Sequence, residues 1–344
     1  MSQVRLKYVY LLVVLILAPH ILMASSKTDT VYLKNGDRIS GEVKRMEFGI
    51  LFLKTDGLGT IKIEFDRIST FYAKERFTVR LSNGLRFFGS IDTAGMEGHV
   101  ILRVNEFRIP EPLQEIVELY PVKNAFWQRL DGAIDIGYSY TKASSISQIN
   151  LDGNLDYRME KSFTSFRAGF IITDQEDMPR IRKQDYTFSY RRIIKRKWFA
   201  AGAIGAQQNT ELGVNYRYWG GPAVGNNLVN NNLHVLNGLI GLLVMTEGSA
   251  ADSVINSIEG LIQVDYRIFR FSNPEIDVKS HINMYPSLTT VGRYRMEYDL
   301  NARIEIFDDF YFGVRVYDTY DSKPVDNTAA NNDWGITTSV GYSW

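Results

Sequence analysis

The side chains with catalytic potential are few. The sequence holds four histidines, His20, His99, His234 and His281, and no cysteine. Without cysteine there is no disulfide framework, thiolate metal site, cysteine nucleophile or lipid-modified cysteine. His281 shares its parity with Asp277, Lys279 and Asn283, opposite Ile276, Val278, Ile282 and Met284. In such polar company it reads as a hydrogen-bonding residue rather than a general base. A lipid hydrolase needs Ser and His together on a face that lipid reaches. A protease of comparable architecture needs an acid and a His at one rim. Neither set is evident, and no Gly-rich phosphate loop or His-Glu-x-x-His stretch occurs. Asp318, Asp321, Asp326, Asn327 and Asp333 lack the ligand spacing of a calcium loop and read as solvated loop. The expectation is a protein without cofactor or metal, and not an enzyme.

These side chains are positioned by a run of alternating segments over residues 127–344. Ile134, Ile136, Tyr138 and Tyr140 alternate with Asp135, Gly137 and Ser139. Ile149, Leu151, Leu155 and Tyr157 alternate with Asn150, Asp152, Asn154, Asp156 and Arg158. Tyr294, Met296, Tyr298, Leu300, Ile304 and Ile306 oppose Arg295, Glu297, Asp299, Asn301, Arg303 and Glu305. An apolar exterior and a polar interior require this pattern in a transmembrane barrel, although one face of a soluble sandwich alternates too. Segment length, an even count of twelve, and tight turns alternating with longer loops favour the barrel. The tight turns include Glu160-Lys161-Ser162 and Phe307-Asp308-Asp309-Phe310; the longer loops include 174–183 and 318–333. Residues 198–207, 212–229 and 233–245 are rich in small residues or apolar on both faces, so ten and fourteen strands stay open. The last segment sets Trp334, Ile336, Thr338, Val340 and Tyr342 on one face and stops at Trp344. That ending resembles the signal read by the outer-membrane assembly machinery.

Parity assigns an inward set of both signs. Arg158, Arg167, Arg191, Arg267, Lys279, Arg303 and Arg315 stand against Asp265, Asp277, Glu297, Asp299 and Glu305, with Arg295 and four further aspartates. A pore selective for one ion sign is expected to show rings of one charge. Mixed charge predicts instead that ion-paired side chains span much of a narrow interior. The Lys195-Arg196-Lys197 turn reads either as a contact for anionic headgroups or as a solvated turn.

Upstream, Arg5 and Lys7 precede an apolar run over 8–18, Pro19, and small residues near Ala24. This predicts a signal peptide over residues 1–24, with an uncleaved anchor as the alternative. No later apolar run is long enough to span as a helix, since 236–245 is broken by Asn237, Gly238 and Gly241. Between signal and barrel, Thr30-Val31-Tyr32-Leu33-Lys34-Asn35-Gly36 is answered 48 residues later by Thr78-Val79-Arg80-Leu81-Ser82-Asn83-Gly84. Ile39, Gly41 and Val43 match Phe87, Gly89 and Ile91 in the same register. Two small SH3-like or Sm-like β-barrel repeats, 27–76 and 77–122, are expected. Residues 27–123 carry fifteen Lys and Arg against fourteen Asp and Glu, with no basic stripe, which argues against nucleic acid.

From about Trp127 to Trp344 the chain resembles the YdiY-like family of salt-induced outer-membrane proteins. The resemblance rests on Gly137-Tyr138-Ser139-Tyr140, Asn154-Leu155-Asp156-Tyr157, the Phe307-Asp308-Asp309-Phe310 turn and the Gly341-Tyr342-Ser343-Trp344 ending. It implies an all-β outer-membrane barrel in an osmotic or salt-stress setting and carries over no catalytic residue. The expected function is therefore non-enzymatic: envelope stability or small-solute passage. Two alternatives are a barrel anchor whose repeats recruit a periplasmic partner in transport or envelope assembly, and a barrel hydrolase. Expected contacts are outer-membrane lipid, lipopolysaccharide and the assembly machinery, with the chain itself a monomer.

Overall fold

The computed structural model describes residues 29–344, apart from 124, 143–144, 177–178, 211–212, 250–253, 272–273, 308–309, 326–330 and 343–344. The predicted signal segment, the Asp308-Asp309 turn and Trp344 lie outside the described residues. The described chain is all β apart from three single turns of 3-10 helix.

The first nine strands are β1 (Asp29–Leu33), β2 (Arg38–Glu47), β3 (Ile50–Lys54), β4 (Thr60–Glu64), β5 (Ile68–Leu81), β6 (Arg86–Thr93), β7 (His99–Val104), β8 (Phe107–Pro112) and β9 (Ile116–Pro121). The duplication is visible in three dimensions. A 3-10 turn at Phe65–Arg67 leads into β5, and one at Leu113–Glu115 leads into β9. The first part of β5 returns to pair with β1, and β9 returns to pair with the last part of β5. Asn35 and Asn83 each accept a backbone N–H two residues on, closing the two matched turns through Gly36 and Gly84, whose φ values are +92° and +85°. Such a conformation suits glycine. Gly41 and Gly89 also do the same job twice: a Cβ there would lie 2.7 Å from the Lys54 carbonyl and 2.0 Å from the Arg103 carbonyl.

The repeats are not two separate barrels. The expected boundary at 76/77 falls inside β5, which serves both units. Met46 of β2 also pairs with Leu119 of β9. One apolar cluster runs through both halves, including Val31, Met46, Leu53, Phe71, Phe77, Val79 and Leu119. A five-stranded unit of this size buries too little apolar surface to stand comfortably alone, and sharing a strand and a core remedies that.

The second region is a twelve-stranded antiparallel up-and-down sheet. Its strands are β10 (Leu130–Thr141), β11 (Ile146–Arg158), β12 (Ser162–Gln175), β13 (Ile181–Lys195), β14 (Trp198–Asn209), β15 (Val214–Asn230), β16 (His234–Ser249), β17 (Val254–Arg270), β18 (Glu275–Pro286), β19 (Tyr294–Phe307), β20 (Phe310–Asp321) and β21 (Asn332–Tyr342). Each pairs with the next in sequence order. Among the described residues no ladder joins β10 to β21. The three ambiguous stretches are β14, β15 and β16. Pro222 lacks the N–H that a central strand needs, and the β15–β16 ladder omits 221 and 222 before resuming in register. The loops expected at 174–183 and 318–333 are shorter than expected. The ladders run through their polar ends, to Gln175 and from Ile181, and to Asp321 and from Asn332.

Candidate functional site

Every strand from β10 to β21 turns large apolar side chains outward into exposure, among them Ile136, Leu155, Phe188, Ile204, Ile240, Ile262, Ile306, Phe312 and Val340. The opposite parity carries the predicted charges. Arg267 bonds Asp277 at 3.1 Å, Lys279 reaches the same carboxylate at 3.3 Å, and Arg315 lies 3.7 Å from Asp299. His281 bonds Asp265 through Nδ1, as a hydrogen-bonding residue on the polar face. Glu297 accepts from Tyr285 Oη at 2.9 Å and Asn283 Nδ2 at 3.2 Å. Arg303 stacks on Tyr311 and Arg191 on Phe199. Arg167 and Glu305 share the same inward parity on β12 and β19. Ile336, Thr338, Val340 and Tyr342 lie along the outward face of β21 and are exposed.

A second set of charges is buried at the end of the sheet remote from the repeats; the parity-based list holds only Arg295 of it, and Asp321, expected in a solvated loop, belongs to it instead. Arg293, fully buried in the connection between β18 and β19, bonds Asp321 at 2.6 Å and contacts Glu247. Glu247, also fully buried, takes Arg217 at 2.6 Å. Arg295 forks onto buried Glu259 at 2.6 and 3.4 Å. These pairs link β15, β16, β17, β19 and β20, so the 287–293 connection folds inward over the sheet end. Their signal in the sequence is the pairing register Arg217↔Glu247, which no local pattern reveals.

The other end is covered by the repeats. Asn232, in the β15–β16 turn, donates from Nδ2 to the carbonyls of Ile116 at 2.9 Å and Gln114 at 3.2 Å. Asn230 reaches Glu118 at 3.4 Å. Phe48, at the β2–β3 turn, meets Phe269 edge-on at 5.8 Å and lies under the Arg267 guanidinium. It borders a 240 Å³ pocket shared with Asp265, His281 and Asp299. On the other flank, Arg158 of β11 stacks on Tyr120 of β9. Burial pushes the Tyr120 phenol up despite Arg158, and its hydroxyl donates to Glu47 at 2.5 Å. The 195–197 turn packs here as well: a Cβ on Gly84 would lie 2.9 Å from Lys197 Cγ. Because one small domain touches strand ends from β11 through β17, the sheet must curl around it.

Among the described residues no cluster of His, Asp and Glu could hold a metal ion, and no helix is long and apolar enough to cross a membrane. Fold and interior together define a class: an all-β chain with a twelve-stranded up-and-down sheet, apolar outside and ion-paired within, capped by duplicated β-units. Residues 134–344 match the family model described as a protein of unknown function, DUF481, and the chain belongs to that family. No curated protein matches the chain.

Proposed function

We propose that the protein is a non-enzymatic outer-membrane β-barrel, closed at rest by its own periplasmic repeats, which stabilises the envelope and admits small solutes only when they lift. The observation that carries this reading is the seating of Phe48 and Asn232 across one end of the sheet. The interior supports it in part: it carries both signs, with pairs such as Arg267–Asp277 and Arg295–Glu259, rather than the one-sign rings of a selective pore. An apolar exterior on all twelve strands is what a bilayer rewards and water does not. The salt-stress setting follows from the likeness to YdiY-like proteins. Exposed Leu58 and Met96 in connections of the repeats, with Phe107 at the start of β8, favour a second reading, in which the domain also recruits a periplasmic partner.

Single-channel recording of the refolded full-length protein in planar bilayers, beside a variant lacking residues 27–122, tests the proposal. Silence from the full chain and discrete steps from the deletion are expected. Equal steady currents from both would overturn the cap. Silence from both, with heat-modifiable gel migration reporting a folded barrel, would leave the anchor reading.

A further inference from the structure

Away from Phe48, the repeats overhang the ends of β10–β13 and form with them a partly open cavity of about 1070 Å³. Its lining is markedly basic, with ten Lys and Arg against five Asp and Glu. In its wall Arg80 of β5 is only 5% exposed. One Arg80 nitrogen, Nη1, donates to Glu118 at 2.7 Å; Nε and Nη2 are buried without a partner. Arg86 Nη1 is buried and unpartnered too. Arg158 enters from the opposite wall with its flat face on Tyr120, 4.0 Å to the ring centroid. A guanidinium stacked in this way still has in-plane N–H donors along its edge. Glu118 is the near acid and is already shared between Arg80 and Asn230. Among the described residues Arg86, Arg158 and Arg191 form no ion pair.

Burying several cations around one shared carboxylate is costly. Burial, with Arg80 and Arg158 alongside and Glu118 opposing them, pushes the Arg86 guanidinium down to about 10. A bound anion would reverse that cost. Forked guanidinium donors suit phosphate oxygens, to which they bond in pairs. The volume far exceeds one phosphate, and Trp127, Leu130, Met159 and Phe163 give the chamber an apolar side. It lies at the foot of β10, which contributes Leu130 and Asp131 to the lining.

We propose that this chamber binds a phosphate-bearing anion, its oxygens held by Arg80, Arg86 and Arg158. The inference rests on the seating of the repeats described above, but not on any conduction. The phosphate could belong to a lipid headgroup or to a free phosphate or diphosphate.

Calorimetric titration of the full-length protein in maltoside micelles, which carry no phosphate, separates the sources. One arm uses inorganic diphosphate and the other adds phosphatidic acid to the micelles. Saturable binding in at least one arm is expected, weakened roughly tenfold or more by the Arg86→Gln/Arg158→Gln pair, as loss of charge-assisted hydrogen bonds implies. Arg80 is kept, because its removal would strand Glu118. Arg38→Gln, exposed and outside the chamber, should bind as the wild type does. Binding only of phosphatidic acid assigns the site to lipid; binding only of diphosphate assigns it to the free anion; mutual competition assigns it to the shared group. No binding in either arm, or binding indifferent to the double substitution in a protein of normal heat-modifiable migration, overturns the proposal. Calorimetry repeated on Phe48→Asn, which lies outside the chamber and keeps both arginines, holds failure of the cap distinct from failure here, because Arg158→Gln also removes the Tyr120 contact of the docked repeats.

Discussion

Arg267 Cζ sits 4.2 Å from the centroid of the Phe48 ring, joining the inward face of β17 to the tip of the first repeat. Phe48 holds a φ of +52°, a conformation rare for a bulky side chain, so its turn carries strain that the docked ring offsets. Phe48→Asn keeps a residue tolerant of that backbone and removes the ring. Cation–π and ring contacts of this kind are worth about 1–2 kcal/mol. The variant should show faster hydrogen exchange in the Asn230–Asn232 turn and more frequent channel openings than the wild type. Exchange rates unchanged at that turn would remove Phe48 from the cap.

Buried charge at the opposite end leads to a harsher outcome. Arg293→Met leaves Glu247 and Asp321 facing each other without their shared cation. Removing one partner of a buried pair typically costs 3–5 kcal/mol, so roughly that loss is expected in urea unfolding followed by gel migration. Arg315→Met, whose pair with Asp299 is long and well exposed, should cost less than about 1 kcal/mol.

The matched glycines make a cleaner steric test. Gly89→Ala would put a methyl 2.0 Å from the Arg103 carbonyl, so β6 and β7 must part. A loss of about 2 kcal/mol in the repeat domain is expected. Gly95→Ala, with nothing within 4 Å of the added carbon, should leave its melting unchanged. Circular dichroism melts of the two variants decide it.

Acid should act on the repeats through Asp92. Burial pushes its carboxyl up, but hydrogen bonds from Arg103, the Thr93 N–H and Arg108 outweigh that and hold it below the ordinary carboxylate range. A depressed folded value means the stabilisation is complete above the unfolded value and is lost as pH falls through the folded one. The arginines are half exposed, which limits the effect to under about 1 kcal/mol. Glu111 runs the other way: burial, with Glu115 adding to it, raises its carboxyl. Its contribution is therefore present at low pH and lost as pH rises through the raised value. Melts from pH 2 to 7 should show Asp92→Asn flatter than the wild type at the acid end and Glu111→Gln flatter near the top of the carboxylate range.

Much of this architecture was legible because parity is a local property. Alternation at Ile134–Tyr140 and Tyr294–Ile306 sorted inward from outward residues, and the Asn-Gly turns 48 residues apart exposed the duplication. Register is not local. Arg217 and Glu247 lie thirty residues apart across a turn, and their meeting depends on the irregularity between Asn227 and Val229 that shifts the β15–β16 register. The docking of Phe48 and Asn232 depends on two regions folding against each other, which neither sequence segment encodes alone. The ends of β12 and β20 carry no apolar alternation, because polar residues there pair without burying anything apolar.

The shared β5 strand constrains how the protein's ancestry could change. When a duplicated unit keeps its own edges, either copy remains dispensable, and deletion can undo the copying. Here one strand closes the first unit and opens the second, and Met46 and Leu119 interlock across the join. Losing either half would sever that strand and lay bare the other's core. The duplication therefore works as a ratchet: descendants can keep both units or discard both, but cannot return to one.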